Sequence, residues 1–294
     1  MPNDALTRYH ARMQRVLGHI ETHLEDSLTV EALSSIAAFS PYHFHRQFAE
    51  LFGINVHRYI QLLRLKRASW RLAFRPAEPV LQVALDTGYE SGEAFARAFR
   101  DRLGQSPSEF RNDPHWRAFH AAYRAVHEAR STRMTQTFTD DDVKLVSFPE
   151  TPVAILRHHG DPTLLGDTIR NFIAWRRAAG LPPRVSATFN IMHNDPETTA
   201  PADYRVDLCA TTNRPVQLNG YGVIAGRIPS GRCASIRVTG SSENLRAAAV
   251  FVYADWLPRS GEDLRDFPMF AQRVSFVPDV AEHEAVPDIF VPLR

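Results

Sequence analysis

Residues 40–53 read SPYHFHRQFAELFG, and 51 residues later the chain reads SGEAFARAFRDRLG, with Phe44/Phe95, Arg46/Arg97, Phe48/Phe99 and Gly53/Gly104 in register. A serine suited to capping a helix N-terminus opens each copy, and a glycine closes it. Phe44, Phe48 and Leu51 recur at the spacing of a helix with one buried face. A separate face carries Tyr42, His45, Arg46 and Ala49 in the first copy and Glu93, Ala96, Arg97 and Arg100 in the second. Each copy follows a shorter helical pattern, LTVEALSSIAAF or VLQVALDTGYES, after a break of a few residues. Thr29 is the expected cap of the first short helix, and Gly88 eases the second turn. The pattern is a helix-turn-helix written twice.

Between the copies, VHRYIQLLRLKRASWRLAF predicts one long helix with Leu62, Leu65, Ala68 and Leu72 along its buried side. Arg64, Lys66, Arg67 and Arg71 supply charge elsewhere on it. A rigid rod of this kind can hold two helices against successive major grooves on one side of a duplex, about 34 Å apart, without a dimer. The first outer face offers Tyr42, His45, Arg46 and Gln47, all able to bond to base edges or phosphates. The second offers Gly92, Glu93 and Ala94 before Arg97, with Arg100 a turn later, so sequence discrimination is expected mainly from the first.

The formal net charge of 294 residues is only +1, so any nucleic-acid contact must use a local patch rather than a uniformly basic surface. Two cysteines, Cys209 and Cys233, exclude a disulfide framework and match no zinc spacing; they are expected as buried thiols. His115, His120 and His127 lack carboxylate and cysteine companions at ligand spacing, so no metal and no cofactor are expected. Neither a signal-peptide core nor a membrane-length apolar run is evident, which points to a cytoplasmic protein with no membrane partner.

The segments SPYHFHRQFAELFG, YIQLLRLKRA and VALDTGYESGEAFARAFRDRLGQSPSEFR resemble the AraC family of bacterial transcription regulators over residues 10–112. The resemblance implies that Tyr42, His45 and Arg46 match base-reading positions of a first recognition helix, and Gly92, Glu93, Ala94 and Arg97 those of a second. It assigns residues 1–112 to a double helix-turn-helix DNA-binding domain. Residues 113–142 then read as a connector: a helix carrying Trp116, Phe119, Tyr123 and Val126 on one side, followed by the linker TQTFTDDD.

From 143 onward a strand, helix, strand, strand order occurs twice, about 80 residues apart. PVAILRHHG answers RCASIRVTG, and Asp207 in YRVDLCA answers Asp288 in VPDIFVP. The expected fold class is therefore an α+β multidomain chain: an all-α double helix-turn-helix, then a duplicated α+β domain with a groove between its halves. HHGDPTLLGDTI, MHNDPETTAPADYRVDLC, GVIAGRIPSGRCASIRVTG, ADWLPRSG, FPMF and PDIFVPL resemble the GyrI-like ligand-binding domain over 143–294. That resemblance implies an amphipathic, often cationic small molecule in the central groove, with Asp288 matching a cation-holding carboxylate. Trp175, Tyr253, Trp256 and Phe270 are the aromatic candidates beside it.

Three departures stand out: Gly160-Asp161-Pro162 and Gly240-Ser241-Ser242 where the family has Gly-Pro-Tyr, and Phe270-Ala271 where it has Phe-Glu. The pocket thus has one carboxylate fewer. The expectation is a DNA-binding regulator, not an enzyme. Its expected partners are double-stranded DNA at an asymmetric site of two adjacent major-groove segments, a small-molecule effector and RNA polymerase. Two alternatives remain open: hydrolysis of an electrophilic compound with Asp288 as general base, and a protein partner in place of the ligand.

Overall fold

The helix boundaries of the first part of the chain follow its small polar residues. The computed structural model describes residues 2–133 and 137–294, with side chains at 8–130 and 137–294; residues 134–136 of the expected connector lie outside the described residues. The chain divides into two compact units, Met1–Thr135 and Gln136–Arg294. The first contains α1 (Pro2–Thr22), α2 (Val30–Ala37), α3 (Pro41–Phe52), α4 (Val56–Phe74), α5 (Val80–Asp86), α6 (Gly92–Leu103), α7 (Pro107–Asn112) and α8 (Trp116–Arg133). Thr29, Ser40, Asn55, Ser91 and Ser106 cap five of these helices, each accepting a hydrogen bond from the backbone N–H three residues on. Gly53 and Gly104 end α3 and α6 in the same left-handed conformation, at φ 67° and 70°.

Phe44, Phe48 and Phe52 form the buried side of α3, and Phe95, Phe99 and Leu103 that of α6. Phe52 occupies the place expected for Leu51, which is only half-buried. The buried face centres on Phe48, so the residues one turn to either side flank it symmetrically.

Two arginines expected as surface charge on α4 face inward instead. Arg64 donates to the carbonyls of Leu24 at 2.9 Å, Asp26 at 2.8 Å and Gly88 at 3.1 Å, joining the approach to α2 with the turn between α5 and α6. Gly88 sits at φ +82°, and a Cβ there would lie 2.7 Å from the Arg64 guanidinium carbon. Burial lowers the pKa of Arg64, as expected where neutral carbonyls replace water around a cation. Arg71, buried on the same helix, bonds to Glu78 and, at 2.6 Å, to Asp86 of α5. Hydrogen bonding to Glu78, and to a lesser extent Asp86, outweighs burial and raises the Arg71 pKa. The helix expected as a connector, α8, packs into this unit: Trp116, Phe119, Tyr123 and Val126 are all buried, and the rings of Trp116 and Phe119 meet Trp70, Phe74 and Phe110. Arg130 of α8 closes an ion pair with Glu21 of α1 at 2.7 Å.

The second unit is one antiparallel eight-stranded sheet, made of β1 (Val143–Phe148), β2 (Thr151–His159), β3 (Thr188–Met192), β4 (Arg205–Thr211), β5 (Ile224–Ile228), β6 (Gly231–Arg237), β7 (Phe270–Ser275) and β8 (Val286–Pro292). The order β1-β6-β8-β7-β3-β4-β2-β5 is symmetric about its centre, with β7 and β3 meeting in the middle. Each half takes its outer strand from the other: β1, which leads into β2, pairs with β6, and β5, which leads into β6, pairs with β2. Helix α9 (Leu165–Ala178) follows β2, and α10 (Ser242–Val250) follows β6. The latter continues through a π-helical segment, Phe251–Trp256, into α11 (Leu257–Ser260).

Alternation along the strands makes three cores. Ala154, Leu156, Leu208 and Ala210 pack under α9 with Phe172 and Trp175. Ala234, Ile236, Ile289 and Val291 pack under α10 with Val252 and Trp256. On the opposite face, Phe148, Phe189, Phe270 and Phe290 form an aromatic cluster with Ile155, Ile228 and both cysteines. Replacing Gly88 by Ala is expected to cost more than about 1 kcal/mol, because it combines a left-handed φ with a clash on Arg64. Arg64→Ala removes three charge-assisted bonds and is expected to cost about 3 kcal/mol. Hydrogen exchange over 56–103 measures both, and undiminished protection in Arg64→Ala contradicts the clamp.

Candidate nucleic-acid interface and ligand trough

Burial of the phenylalanines turns the opposite sides of α3 and α6 outward. Tyr42 is 74% exposed, and His45 and Arg46 are exposed beside it. On α6 Glu93, Arg97 and Arg100 are exposed at the matching turns. Among the described residues Arg46 and Arg97 make no ion pair or side-chain hydrogen bond, so both guanidiniums are available to an outside acceptor. Gln47 is set apart from this group: it is half-buried, and its side-chain oxygen is buried without a hydrogen-bond partner. One residue beyond Arg46, the helix has already rotated about 100° toward the core.

The two faces carry different chemistry on the same backbone. The first presents a phenol, imidazoles and a guanidinium, groups that donate to and accept from base edges. The second presents a carboxylate and two guanidiniums around Ala94, a set suited mainly to phosphates.

In the second unit the five expected ligand residues do not converge. Trp175 belongs to the core under α9 and Trp256 to the core under α10. Phe270 is fully buried in the aromatic cluster on the other face. Tyr253 is 39% exposed on the π-helical segment, where burial of its surroundings still raises its pKa. Asp288 points to the face opposite the helices: its strand neighbour is Gln272, which pairs in turn with Phe189 of the aromatic cluster. Both of its oxygens accept from Arg237 at 2.7 Å, so its charge is already matched. At Trp175, Trp256 and Phe270 the aromatic signal marked core positions, because large apolar side chains serve either purpose; the two tryptophans lie on the sheet-facing sides of helices, and Phe270 on a strand face set by register.

Asp207 and Asp288 do hold equivalent places, opposite Arg157 in β2 and Arg237 in β6. Their partners differ. Buried Asp207 is bonded by His193 at 3.0 Å and Arg205 at 3.0 Å rather than by its cross-strand arginine.

The space between the helices has a different lining. Helix α9 covers β2 and β4, and α10 covers β6 and β8, through two cores that share no residue. The central strands β3 and β7 lie between them. Register places Thr188 opposite Arg273 and Asn190 opposite Ala271, on the same face as the helices. Met192 continues that face along β3. Thr188, Asn190, Met192 and Arg273 are half-buried, so they floor a trough that solvent still reaches. A separate cleft of about 310 Å³ opens at the C-terminal end of α9, lined by Trp175, Leu181, Arg214, Val216 and Tyr221. Among the described residues no group of three His, Cys, Asp or Glu side chains could hold a metal, and no helix is long and apolar enough to cross a membrane.

Residues 141–294 match the family of the GyrI-like small molecule binding domain, and residues 33–113 match a helix-turn-helix domain family. The chain is 37% identical to the probable transcriptional regulator YgiV of Escherichia coli K12 over 153 residues, which is 52% of this chain and 96% of that protein. It is 31% identical to the transcriptional regulator Rob of Salmonella typhimurium over 100 residues, 34% of each chain. A solved EcmrR–DNA complex in EcmrR-RPo aligns with 87% of this chain and 85% of its own at 14% identity and a TM-score of 0.44.

The two equivalent aspartates predict unequal losses. Asp288→Asn breaks a pair whose arginine side chain is 66% exposed, and is expected to cost no more than about 1 kcal/mol. Asp207→Asn weakens charge-assisted bonds at a carboxylate only 5% exposed, and is expected to cost about 2 kcal/mol or more. Thermal melts of the two variants give the order, and a larger loss for Asp288→Asn contradicts the assignment.

Proposed function

The chain belongs to the GyrI-like small molecule binding domain family, here joined to an AraC-type helix-turn-helix region, and we propose that it is a one-component transcription regulator of the cytoplasm. It is a DNA-binding regulator with a small-molecule-binding domain; the finer points are our reading. Two exposed helix faces, 51 residues apart in sequence and capped alike, lie on either side of a rod pinned by Arg64. Each carries an arginine with no ion pair or side-chain hydrogen bond among the described residues, and this pairing is the observation that carries the proposal.

In the proposed complex α3 and α6 enter adjacent major-groove segments of an asymmetric site, bound by a monomer. Tyr42, His45 and Arg46 read bases in the first segment. Arg97 and Arg100 hold phosphates around the second, with Glu93 beside them. A small molecule in the second unit changes DNA affinity only insofar as it binds the DNA-competent arrangement differently. RNA polymerase is the proposed downstream partner. We read the second unit as a sensor rather than a catalyst: its His193–Asp207 pair is held by Arg205, and the neighbouring thiol, Cys209, is fully buried and donates only to the Asp207 backbone carbonyl.

The test uses the full chain and a DNA site obtained by in vitro selection. Arg46→Ala is expected to weaken specific binding by about 1–3 kcal/mol and to relax the base preference of one half-site. Arg97→Ala is expected to weaken all sequences about equally and to reduce the salt dependence by roughly one phosphate contact. Fluorescence anisotropy over a salt series separates the two, and equal loss of base preference in both variants overturns the assigned division of labour.

A further inference from the structure

Arg273 is a cation at the centre of the second unit that no acid among the described residues neutralises. It lies on β7, one of the two middle strands, and on the face that α9 and α10 flank. Among the described residues it has no ion pair and no side-chain hydrogen bond. Its surface remains half-buried, while protein surrounds it densely enough that burial alone lowers its pKa. Solvent contact together with dense surroundings is the condition of a group at the bottom of a concavity. A desolvated charge in such a place is unfavourable unless an opposite charge joins it.

Its neighbours are donors. Thr188, directly across from Arg273, accepts a hydrogen bond from Arg176 Nη1 at 2.5 Å. That bond leaves the Thr188 hydroxyl hydrogen free to be given away. Arg176 is itself occupied, its other nitrogens donating to the carbonyls of Leu181 at 2.7 Å and Ser186 at 2.6 Å. Asn190, two residues along β3 on the same face, has a half-buried side chain with no hydrogen bond among the described residues. Met192 extends the floor with an adaptable apolar side chain. The acids near the end of β3, Asp195 and Glu197, are paired with Arg246 at 3.3 and 3.2 Å.

We propose that the trough between α9 and α10 binds the carboxylate of an amphipathic organic acid, with Arg273 as its counter-charge, Asn190 and Thr188 as neutral donors, and Met192 against its apolar part. A guanidinium with free parallel N–H groups suits a planar carboxylate, which can accept two bonds at once. The inference rests on the small-molecule reading above and specifies its charge.

Isothermal titration of the full chain with octanoate, octyltrimethylammonium and 1-octanol compares three head groups on one alkyl chain. Octanoate is expected to bind at least tenfold more tightly than either of the others. Arg273→Gln is expected to remove that preference, while Arg273→Lys keeps it within tenfold; circular dichroism and DNA affinity confirm that both fold. Asn190→Ala is expected to weaken octanoate severalfold. A preference for the ammonium or the alcohol overturns the proposal and leaves a small-molecule sensor standing. Wild-type octanoate affinity in folded Arg273→Gln, or equal loss in the Gln and Lys variants, also overturns it. No binding of any of the three counts against both the anion site and the sensor reading.

Discussion

The spacing of the two helix-turn-helix units depends on one guanidinium. Arg64 stands on α4 and closes three carbonyls from two distant loops around itself, at Leu24, Asp26 and Gly88. A planar cation with five donors can do this where a lysine cannot, because its hydrogen bonds diverge in fixed directions. Gly88 answers on the other side: only a residue without a Cβ both takes the left-handed turn and lets the guanidinium approach. The positions of α3 and α6 then follow from a rigid rod and a pinned turn rather than from the two short helices themselves. Arg71 repeats the device lower on α4, binding Glu78 and Asp86.

The second unit uses duplication differently. Two similar halves exchange their outer strands, so neither half forms its four-strand sheet without the other. Such an exchange joins the halves through a continuous hydrogen-bond ladder and leaves the middle strands β3 and β7 without a helix above them. The departure from symmetry lies in the charges. Asp288 is neutralised by its cross-strand arginine, whereas Asp207 takes a histidine and a nearer arginine. Arg273, close to the axis, has no such match.

Much of the first unit was legible because its signals are local. Caps at Thr29, Ser40 and Ser91 and the Phe-x-x-x-Phe stripes each act within one or two helical turns. The failures there were charged residues: Arg64 and Arg71 read as solvated from the helix pattern, yet their partners lie 7 to 40 residues away in sequence, outside their own helix. Gln47 likewise looked like a base reader until its neighbours showed it half-buried. In the second unit the order of strands and helices was legible, as was the equivalence of Asp207 and Asp288. The separation of the candidate ligand residues into three cores was not. Trp175, Trp256 and Phe270 were marked by size, and size alone does not distinguish a core from a pocket wall.

The amino-acid sequence by itself determined where helices begin and end, which residues repeat, and that two helix-turn-helix units precede a duplicated α+β domain. These depend on interactions within a turn or on periodicities of 2 and 3.6 residues, which a linear string contains. Tertiary structure alone decided which strand edges exchange, which face of the sheet Asp288 occupies, and that Arg273 has no ion-pair partner among the described residues. A side chain's facing in a sheet reverses with a register shift of one residue, and the pairing of a charge depends on groups that the fold brings to it, as with Arg64 and Asp288. Both are settled by contacts between segments, after each segment has taken its local form.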